Sequence, residues 1–528
     1  MTPRLGDWAN RRSKSRAKAA AKAIATEEIA TEEIATEPPV PLPSKLLVAN
    51  RGEIAVRLCK SAKSLGVATV AIYTAADIGS MHVKAADEHY EVNSYIDEEA
   101  IVGIAVSTAC TAVIPGYGFI SESKSFAEAC ERKGIEFCGP GPEVLSTFGL
   151  KHTARAAAQK AGVPICLGTD VLETGAAALK WARETNVQYP LLFKAIAGGG
   201  GIGMVQVDEE SEVEAAFDVA SRNAKKAFGD GRMYVEQMLV GARHIEVQIF
   251  GDGKGDAVAL GTRECSVQRR NQKVVEEAPA PNIPADRLEA IAACAAKLAS
   301  SVAYNSAGTV EFLLDASNQF FFLEVNTRLQ VEHGVTELIF GLDLVAAMIQ
   351  QGNGTRHGSA GVNMARLKGL VPKGSAIESW AAAQMAAVHP SAHDTSVLPL
   401  PAHAECRIYP PARSTRRCRI YAEDATNNFL PSPGVLGEVS FPTGSIPNVR
   451  VDTWVRSGTE VTPHFDPLIA KLMTYGETRA AAVATMGEAL TKTVIKGSTS
   501  NLKYLRRICA SSEFVSGKYA YLLTYLLT

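Results

Sequence analysis

Apolar and polar positions alternate in a regular way from residue 45 onwards. Up to about residue 150, short apolar runs such as KLLVAN and ATVAIYT are separated by amphipathic stretches such as GEIAVRLCKSAKSLG. Runs of this length are typical of buried strands, and the stretches between them have the 3.6-residue period of helices. Residues 44–150 are therefore predicted to form an open, parallel α/β domain.

The pattern changes after residue 150. Residues 151–349 combine helical stretches such as HTARAAAQKAG and EVEAAFDVASRNAKKAF with glycine-rich hairpins, which predicts an α+β domain on antiparallel strands. Residues 350–402 are rich in Gly, Ala, Ser and His, have weak periodicity, and are interpreted as an atypical insertion without a predicted fold. Residues 403–528 contain Pro/Gly turns around LPSPG and a helical stretch at 477–492, which indicates a third, β-rich domain.

The first 43 residues are predicted to be a disordered tail and a linker. Residues 1–24 carry seven Lys and Arg against one acidic residue, the repeat ATEEIATEEIATE follows, and PPVPLP at 38–43 is typical of a linker. A mitochondrial transit peptide is the alternative for residues 1–24, and a plain disordered tail is favoured over it. We therefore expect a cytoplasmic location, with a mitochondrial one as the alternative.

Composition excludes several classes of protein. With 54 Lys and Arg against 56 Asp and Glu, the chain has no basic field, and a nucleic acid partner is not expected. No uncharged apolar run reaches membrane-spanning length, because Asp343 interrupts LIFGLDLVAAMI. The ten cysteines form no CxxC pair and are interpreted as reduced thiols of an intracellular protein.

A glycine run at 198–203 matches GxGxxG, but its surroundings disfavour a dinucleotide site and hence a nicotinamide dehydrogenase. The strand-like segment LLFKA precedes it and MVQV follows, whereas a dinucleotide site requires a helix after the glycines. A glycine turn between two strands can instead form a flap whose backbone amides close over phosphates. Lys194, just before the run, could supply a cation to the same phosphates, although a lone strand lysine is more often solvated.

Two carboxylates in the segment 308–333 point to a metal site. If DASN at 315–318 forms a four-residue hairpin loop, Glu311 faces Phe322, and Glu324 points to the same side of the sheet. Asn326 has the same parity. Carboxylates held that close require a cation, and oxygen-only ligands favour magnesium that carries nucleotide phosphates. Two solvated carboxylates on an exposed face are the alternative, which the apolar neighbours disfavour.

Polar side chains continue directly after these strands. Arg328, Gln330 and Glu332 follow at i, i+2 and i+4, which would place a guanidinium, an amide and a carboxylate around one anion-sized site. Glu332 is a candidate general base. The segment RECSVQRRNQKVVEE adds Gln268 and Lys273, although charge-rich loops are more often only surface. These residues indicate an enzyme that uses ATP and magnesium and has an anion site beside the metal.

Several strings, in a fixed order, resemble the biotin carboxylase branch of the ATP-grasp superfamily. They are ANRGEIAVR at 49–57, PGYGFISE at 115–122, KAIAGGGGIGM at 194–204, RHIEVQ at 243–248, CSVQRRNQKVVEEAPAP at 265–281, EVNTRLQVEH at 324–333 and FLPSPG at 429–434. The resemblance covers about residues 44–349 and 404–528. It implies a Rossmann-like N-terminal domain, an ATP-grasp domain with a glycine-rich lid at about 165–238, and a β-rich C-terminal biotin carboxylase domain. LKHTAR at 150–155, Asn271 and VDTWVRSGTEVTP at 451–463 make the chain most similar to the urea carboxylase type.

The resemblance implies carboxylation of biotin from bicarbonate, with ATP and Mg²⁺ or Mn²⁺, through carboxyphosphate. By position it implies ATP contacts from Lys151, Lys194, Gly199, Gly200, Gly201, Gly203, Glu236, His244, Gln268 and Asn271. It implies a metal site of Glu311, Glu324 and Asn326, and a bicarbonate site of Lys273, Arg328, Gln330, Val331 and Glu332, among which Lys273, Arg328 and Glu332 are catalytic. Glu332 would deprotonate bicarbonate, flap closure would keep water from carboxyphosphate, and an arginine would stabilise the enolate of biotin.

That arginine has two candidates. The stretch that resembles HAIECRIYAEDP in the family occurs here twice in incomplete form, as HAECRIYP at 403–410 and RRCRIYAEDATNNFLPSPG at 416–434. Arg407 and Arg419 both remain open as the catalytic residue, and Arg419 is favoured because it is in register with AED and FLPSPG. Two further departures from the family are Gly334, in place of proline, and a shortening between Val92 and Tyr95.

The chain has no AMKM-like biotin attachment sequence and no carboxyltransferase segment. It is therefore expected to use separate biotin carrier and carboxyltransferase domains or subunits, or to be a fragment of a longer protein. The resemblance also implies a homodimer. The duplicated arginine segment supports one alternative, a nucleotide-binding or assembly subunit with the same fold that cannot carboxylate biotin. A generic ATP-grasp ligase that joins a carboxylate to an amine is a further alternative.

Overall fold

The computed structural model describes residues 42–196, 204–356, 361–371 and 414–519. The predictions for the tail, for most of the insertion, for the glycines at 199–201 and 203, and for Arg407 lie outside the described residues.

The N-terminal part is an open α/β layer. Its strands are β1 (Lys45–Val48), β2 (Ala68–Tyr73), β3 (Glu88–Glu91), β4 (Ala112–Ile114) and β5 (Glu136–Phe137). Its helices are α1 (Gly52–Ser64), α2 (Met81–Ala85), α3 (Glu98–Ser107), α4 (Lys124–Arg132) and α5 (Pro142–Gly149). All five strands are parallel, in the order β3-β2-β1-β4-β5, which confirms the predicted fold class. The apolar side chains of β1 are fully buried because helices cover both faces of such a sheet.

A small antiparallel sheet follows. Its elements are the helices α6 (Lys151–Lys160), α7 (Gly175–Thr185) and α8 (Val213–Phe228) and the strands β6 (Leu191–Ala195), β7 (Met204–Val207) and β8 (Met233–Gln237). Strand β6 is central and pairs antiparallel with both β7 and β8. The glycine run thus connects two antiparallel strands, as predicted, and a strand rather than a helix follows it.

The remaining strands and helices complete the chain. The strands are β9 (Arg243–Asp252), β10 (Ala257–Arg269), β11 (Gln272–Ala278), β12 (Asn305–Leu314), β13 (Phe320–Asn326), β14 (Ser414–Tyr421), β15 (Glu423–Asp424), β16 (Leu430–Pro431), β17 (Gly434–Val435), β18 (Glu438–Ser440), β19 (Val449–Thr453), β20 (Glu460–Val461), β21 (Leu468–Gly476) and β22 (Val494–Lys496). The helices are α9 (Ala285–Ser301), α10 (His333–Phe340), α11 (Leu344–Arg356), α12 (Met364–Gly369), α13 (Arg479–Lys492), α14 (Leu502–Ala510) and α15 (Ser512–Ser516).

One antiparallel sheet of eight strands joins the middle and the C-terminal parts of the chain. Its order is β13-β12-β9-β10-β11-β14-β21-β19, and the C-terminal strands enter it through the pairing of β11 with β14. One face is apolar, because Val310, Phe312 and Leu314 of β12 pack in one core with residues of α9. The side chains that alternate with them lie on the other face, where the polar candidates collect.

The described residues include nine of the ten cysteines, and all nine are free thiols. No single helix among these residues is long and apolar enough to cross a membrane. Helix α10 and the first part of α11 reach that length only as a pair bent by 96°.

Candidate active site

Glu311 on β12 and Glu324 on β13 lie directly opposite each other. Directly opposed side chains share one face of a sheet, so the prediction that these carboxylates converge is confirmed. Asn326, two residues after Glu324, donates from Nδ2 to Glu311 Oε1 at 2.9 Å. The three predicted metal ligands therefore meet at one place.

The register predicted for this hairpin, with Glu311 opposite Phe322, is wrong. Leu314 pairs with Phe320, so the loop is one residue longer than DASN. A bulge between Glu311 and Phe312 compensates for the extra residue, because it places Glu324, rather than Leu323, opposite Glu311. Bulges re-aim side chains next to active sites, and this one keeps the two carboxylates aligned.

Glu311 is buried and surrounded by donors. Lys273 Nζ lies 2.7 Å from its Oε1, and His244 Nε2 lies 2.8 Å from its Oε2. Gln330 donates from Nε2 to Oε1 at 3.1 Å. Burial by itself would raise the pKa of Glu311, but Lys273 and His244 hold it well below its usual range. The carboxylate is therefore ionised, as metal ligation requires.

Glu332 is fully buried just before α10 and lies between two cations. Lys273 Nζ is 2.8 Å from Glu332 Oε1, and Arg419 donates from Nη2 to Oε2 at 3.0 Å. Against the effect of burial, Lys273 and Arg419 keep the pKa of Glu332 well below its usual range. Glu332 is thus a deprotonated carboxylate that can accept a proton.

Arg328 is held at the edge of the same cluster. Its Nε lies 2.9 Å from Glu122 Oε2, and its Nη2 donates to Asn326 Oδ1 at 3.0 Å. Val331 is partly exposed beside the buried Gln330. The predicted series of guanidinium, amide and carboxylate therefore lies along one segment next to the opposed carboxylates.

Two of the predicted ATP contacts form an ion pair in the small sheet. Lys194 Nζ contacts Glu236 Oε2, across the adjacent strands β6 and β8. Arg155 on α6 donates from Nη1 to Glu236 Oε1 at 2.6 Å. Lys151, another of the predicted ATP contacts, has its Nζ 3.0 Å from Glu324 Oε2 and so links α6 to the carboxylate pair.

His244, Gln268 and Asn271 lie near the turn between β10 and β11. Gln268 Nε2 is 2.9 Å from His244 Nδ1, so the two side chains support each other beside Glu311. Although burial opposes it, Glu311 raises the pKa of His244. Asn271 has a φ of 63° in the turn, a conformation that asparagine tolerates better than most residues.

The sequence did not identify several residues of the cluster. Glu246 lies 2.5 Å from Lys273 Nζ and, with Arg263, fills the sheet beneath it. Glu276 receives hydrogen bonds from both Arg417 and Arg419. The other residues that sequence reasoning missed are Glu122 and Arg155. Most of these residues occur inside the strings RHIEVQ, KVVEEAPAP, PGYGFISE and LKHTAR, which was the only signal available for them.

Gly334 has a packing role in this chain. A Cβ atom at this position would lie 2.4 Å from Met473 Sδ, so the glycine makes room for the side chain of β21. The departure from proline is therefore matched by Met473 on the facing strand.

Glu311, Glu324 and Asn326 suit a hard divalent cation. Directly opposed carboxylates repel each other unless positive charge lies close to them. Lys273 supplies such charge to Glu311, and Lys151 supplies it to Glu324. Oxygen ligands, one of them on the partly exposed Glu324, fit Mg²⁺, which binds through one or two carboxylates, water and phosphates.

Three family models match successive parts of the chain. They describe the biotin carboxylase N-terminal domain (residues 43–145), the carbamoyl-phosphate synthase L chain ATP binding domain (151–358) and the biotin carboxylase C-terminal domain (417–524). Urea amidolyase of Saccharomyces cerevisiae is 41% identical over 480 residues, which are 90% of this chain and 23% of that protein. The chain thus spans less than a quarter of that relative's length.

Two solved structures match nearly the whole described fold. The biotin carboxylase–β-γ-ATP complex of Campylobacter jejuni has a TM-score of 0.78 and 34% identity, over 91% of this chain and 98% of that one. The dimeric biotin carboxylase domain of Hydrogenobacter thermophilus 2-oxoglutarate carboxylase, with MgADP, ADP and bicarbonate, has a TM-score of 0.78 and 34% identity over 92% and 99% of the two chains. This chain therefore belongs to the biotin carboxylase family of ATP-dependent ligases, which use Mg-ATP and bicarbonate to carboxylate biotin.

Proposed function

We propose that the cluster around Glu332 is where this chain carboxylates biotin, as part of a urea carboxylase-type system. The observation that carries the proposal is the position of Glu332, an ionised carboxylate between Lys273 and Arg419. A base flanked by cations can take a proton from a bound anion. The urea carboxylase assignment is supported by LKHTAR, by Asn271 and by the similarity to yeast urea amidolyase.

The nucleotide would bind between the small sheet and the carboxylate pair. Lys151 and Lys194 are the cations for its phosphates, and Glu236 holds Lys194 in place. His244, Gln268 and Asn271 would border the same pocket, closed by the glycines at 199–201 and 203. Glu311, Glu324 and Asn326 would hold Mg²⁺, which neutralises charge on the transferring phosphate.

Bicarbonate would bind next to the metal ligands. Lys273 and Arg328 supply positive charge, and Gln330 and Val331 supply the neighbouring amide and backbone. Glu332 then takes the bicarbonate proton, and the freed oxygen attacks the γ-phosphate, which forms carboxyphosphate and releases ADP. Exclusion of water matters because carboxyphosphate is a mixed anhydride that water destroys.

Biotin would enter beside Arg419. Carboxyphosphate breaks down to carbon dioxide and phosphate, and the phosphate takes the proton of the biotin ureido nitrogen. The nitrogen then bonds to carbon dioxide, while Arg419 stabilises the negative charge on the ureido oxygen. We assign this role to Arg419 because its guanidinium lies at Glu332.

Proteins of this family work with biotin carrier and carboxyltransferase domains, and the Hydrogenobacter thermophilus domain is a dimer. We infer that this chain uses the same kinds of partner and forms a homodimer. We also propose a cytoplasmic location, with a mitochondrial one as the alternative.

ADP release by the purified chain tests the proposal. It is measured with Mg-ATP, with and without bicarbonate, and with and without free biotin. The expected result is stimulation by both compounds, lost in Glu332→Gln and kept in Glu513→Gln, a surface control. Nucleotide binding without such stimulation would contradict the proposal and favour a nucleotide-binding or assembly subunit.

A further inference from the structure

We propose that Arg417 is a positioning residue for the biotin half-reaction, because it orients Glu276 and, through Glu276, the guanidinium of Arg419. The inference rests on the proposed function, in which Arg419 faces biotin. It concerns Arg417, which the proposed function does not assign to bicarbonate or to biotin.

Strand pairing places these three residues together. Glu276 on β11 pairs directly with Arg417 on β14, and Arg419, two residues further on, lies on the same face. Arg417 donates from Nε to Glu276 Oε2 at 2.9 Å and from Nη2 to Glu276 Oε1. This fork of two parallel hydrogen bonds fixes the plane of the carboxylate.

The fixed carboxylate in turn orients Arg419. Arg419 donates from Nε to Glu276 Oε1 at 2.6 Å and from Nη2 to Glu332 Oε2 at 3.0 Å. Among the described residues, Arg417 and Arg419 are the only donors to the Glu276 carboxylate. Without Arg417, Glu276 could turn both oxygens towards Arg419 and draw it away from Glu332.

The charges of Arg417, Glu276 and Arg419 also favour the placement of Arg419 at Glu332. Arg417 is fully buried, and Glu276 is its bonded counter-ion. Because Glu276 is shared between two guanidinium groups, it neutralises only part of the charge of Arg419. The remaining positive charge faces Glu332 and the position proposed for the ureido oxygen.

The sequence around Arg417 departs from the family stretch that it resembles. When RRCRIYAED is aligned with the family stretch HAIECRIYAEDP through Cys418 and Arg419, Arg417 occupies the position of a glutamate. A glutamate there would face Glu276 with a like charge and could not form the fork. The second arginine therefore adds a contact that the aligned stretch cannot make.

The test compares Arg417→Met and Arg417→Lys with a neighbouring control. Arg416→Met is the control, because Arg416 is also fully buried and paired with a glutamate, Glu277, on the other face of β14. The readout is the ratio of biotin-dependent to biotin-independent ADP release, each measured with bicarbonate. We expect this ratio to fall at least about tenfold in Arg417→Met and less in Arg417→Lys, which keeps the charge but not the fork, and to stay unchanged in Arg416→Met.

A double variant separates action through Glu276 from a direct effect on Glu332, whose Oε2 is 3.8 Å from Arg417 Nη2. If Arg417 acts through Glu276, adding Arg417→Met to Glu276→Gln changes the ratio little further. Additive losses, or an unchanged ratio in Arg417→Met, would overturn the inference. If Arg419→Ser itself leaves biotin-dependent release unchanged, the proposed role of Arg419 fails instead.

Discussion

Arg419 donates from Nη2 to Glu332 Oε2 at 3.0 Å, although 87 residues separate them in the sequence. The contact exists because β14 joins β11 and so brings the C-terminal part of the chain into the sheet that carries the ATP-grasp residues. The candidate biotin-site arginine is thus held by a strand of the sheet, opposite the candidate base, which lies just before helix α10. Rigid elements position reacting groups better than loops do.

Replacing Lys273 by methionine should weaken both activity and folding. Lys273 Nζ lies within 2.8 Å of carboxylate oxygens of Glu246, Glu311 and Glu332, all buried. Loss of the cation leaves buried carboxylates uncompensated, at a cost of about 3–5 kcal/mol. Urea unfolding measures this cost, and the exposed Lys496→Met is expected to change stability by less than about 0.5 kcal/mol. Equal unfolding midpoints for the two variants would contradict the prediction.

Glu311→Gln and Glu324→Gln should both weaken magnesium dependence but differ in stability. Each is expected to raise the Mg²⁺ concentration for half-maximal ADP release at least about tenfold, and chelation of the metal should abolish release in the native chain. Glu324 is partly exposed, so its loss should cost less than about 1 kcal/mol of unfolding free energy. Glu311 is buried against Lys273 and His244, and its loss should cost more. If Glu324→Gln needs the same Mg²⁺ concentration for half-maximal ADP release as the native chain, Glu324 is not a metal ligand.

His82 should make the fold sensitive to mild acid. It is fully buried, with Nδ1 2.9 Å from Ser80 Oγ, and burial lowers its pKa to about 4. Because the unfolded chain takes up the proton near pH 6.5, stability is complete above that pH and falls until about pH 4. At pH 5 the loss is about 2 kcal/mol. Between pH 7 and pH 5, His82→Gln should lose about 2 kcal/mol less unfolding free energy than the native chain, because the buried His333 keeps its own acid sensitivity in both proteins. Equal losses in the two proteins would refute the prediction.

Gly334→Ala should destabilise the native chain but stabilise a chain that also carries Met473→Ala. The added Cβ would lie 2.4 Å from Met473 Sδ, and overpacking of this kind costs about 1–3 kcal/mol. Once Met473 is shortened, the alanine fits and favours helix α10 by up to about 1 kcal/mol. Thermal unfolding of the four proteins measures the reversal. Loss of stability in both backgrounds would show that the contact with Met473 is not the cause.

Local pattern was enough to predict most elements of the fold. The strands at KLLV and ATVAIY and the helices that begin near Gly52 and Val213 have clear periods, and the glycine run was correctly placed between strands. The convergence of Glu311 and Glu324 followed from parity along a hairpin. The register did not, because the loop after Leu314 and the bulge before Phe312 depend on the backbone of the turn.

The local pattern of apolar and polar residues did not predict the long-range contacts of the site. Glu276 is one of two adjacent acids in KVVEE, and only its pairing with Arg417 distinguishes it from Glu277. That pairing joins strands separated by more than a hundred residues, and no periodicity encodes its register. Glu246 was missed for the same reason, because its partners Arg263 and Lys273 come from two other strands.

Formation of carboxybiotin from labelled bicarbonate is a direct measure of the reaction proposed at Glu332. The purified chain is incubated with Mg-ATP, free biotin and labelled bicarbonate, and the acid-labile label on biotin is counted for the native chain and for Glu332→Gln. We expect ATP-dependent labelling of biotin by the native chain and labelling lower by about a hundredfold or more in Glu332→Gln. Labelling that persists in Glu332→Gln, or its absence in a native chain that binds Mg-ATP, would contradict it.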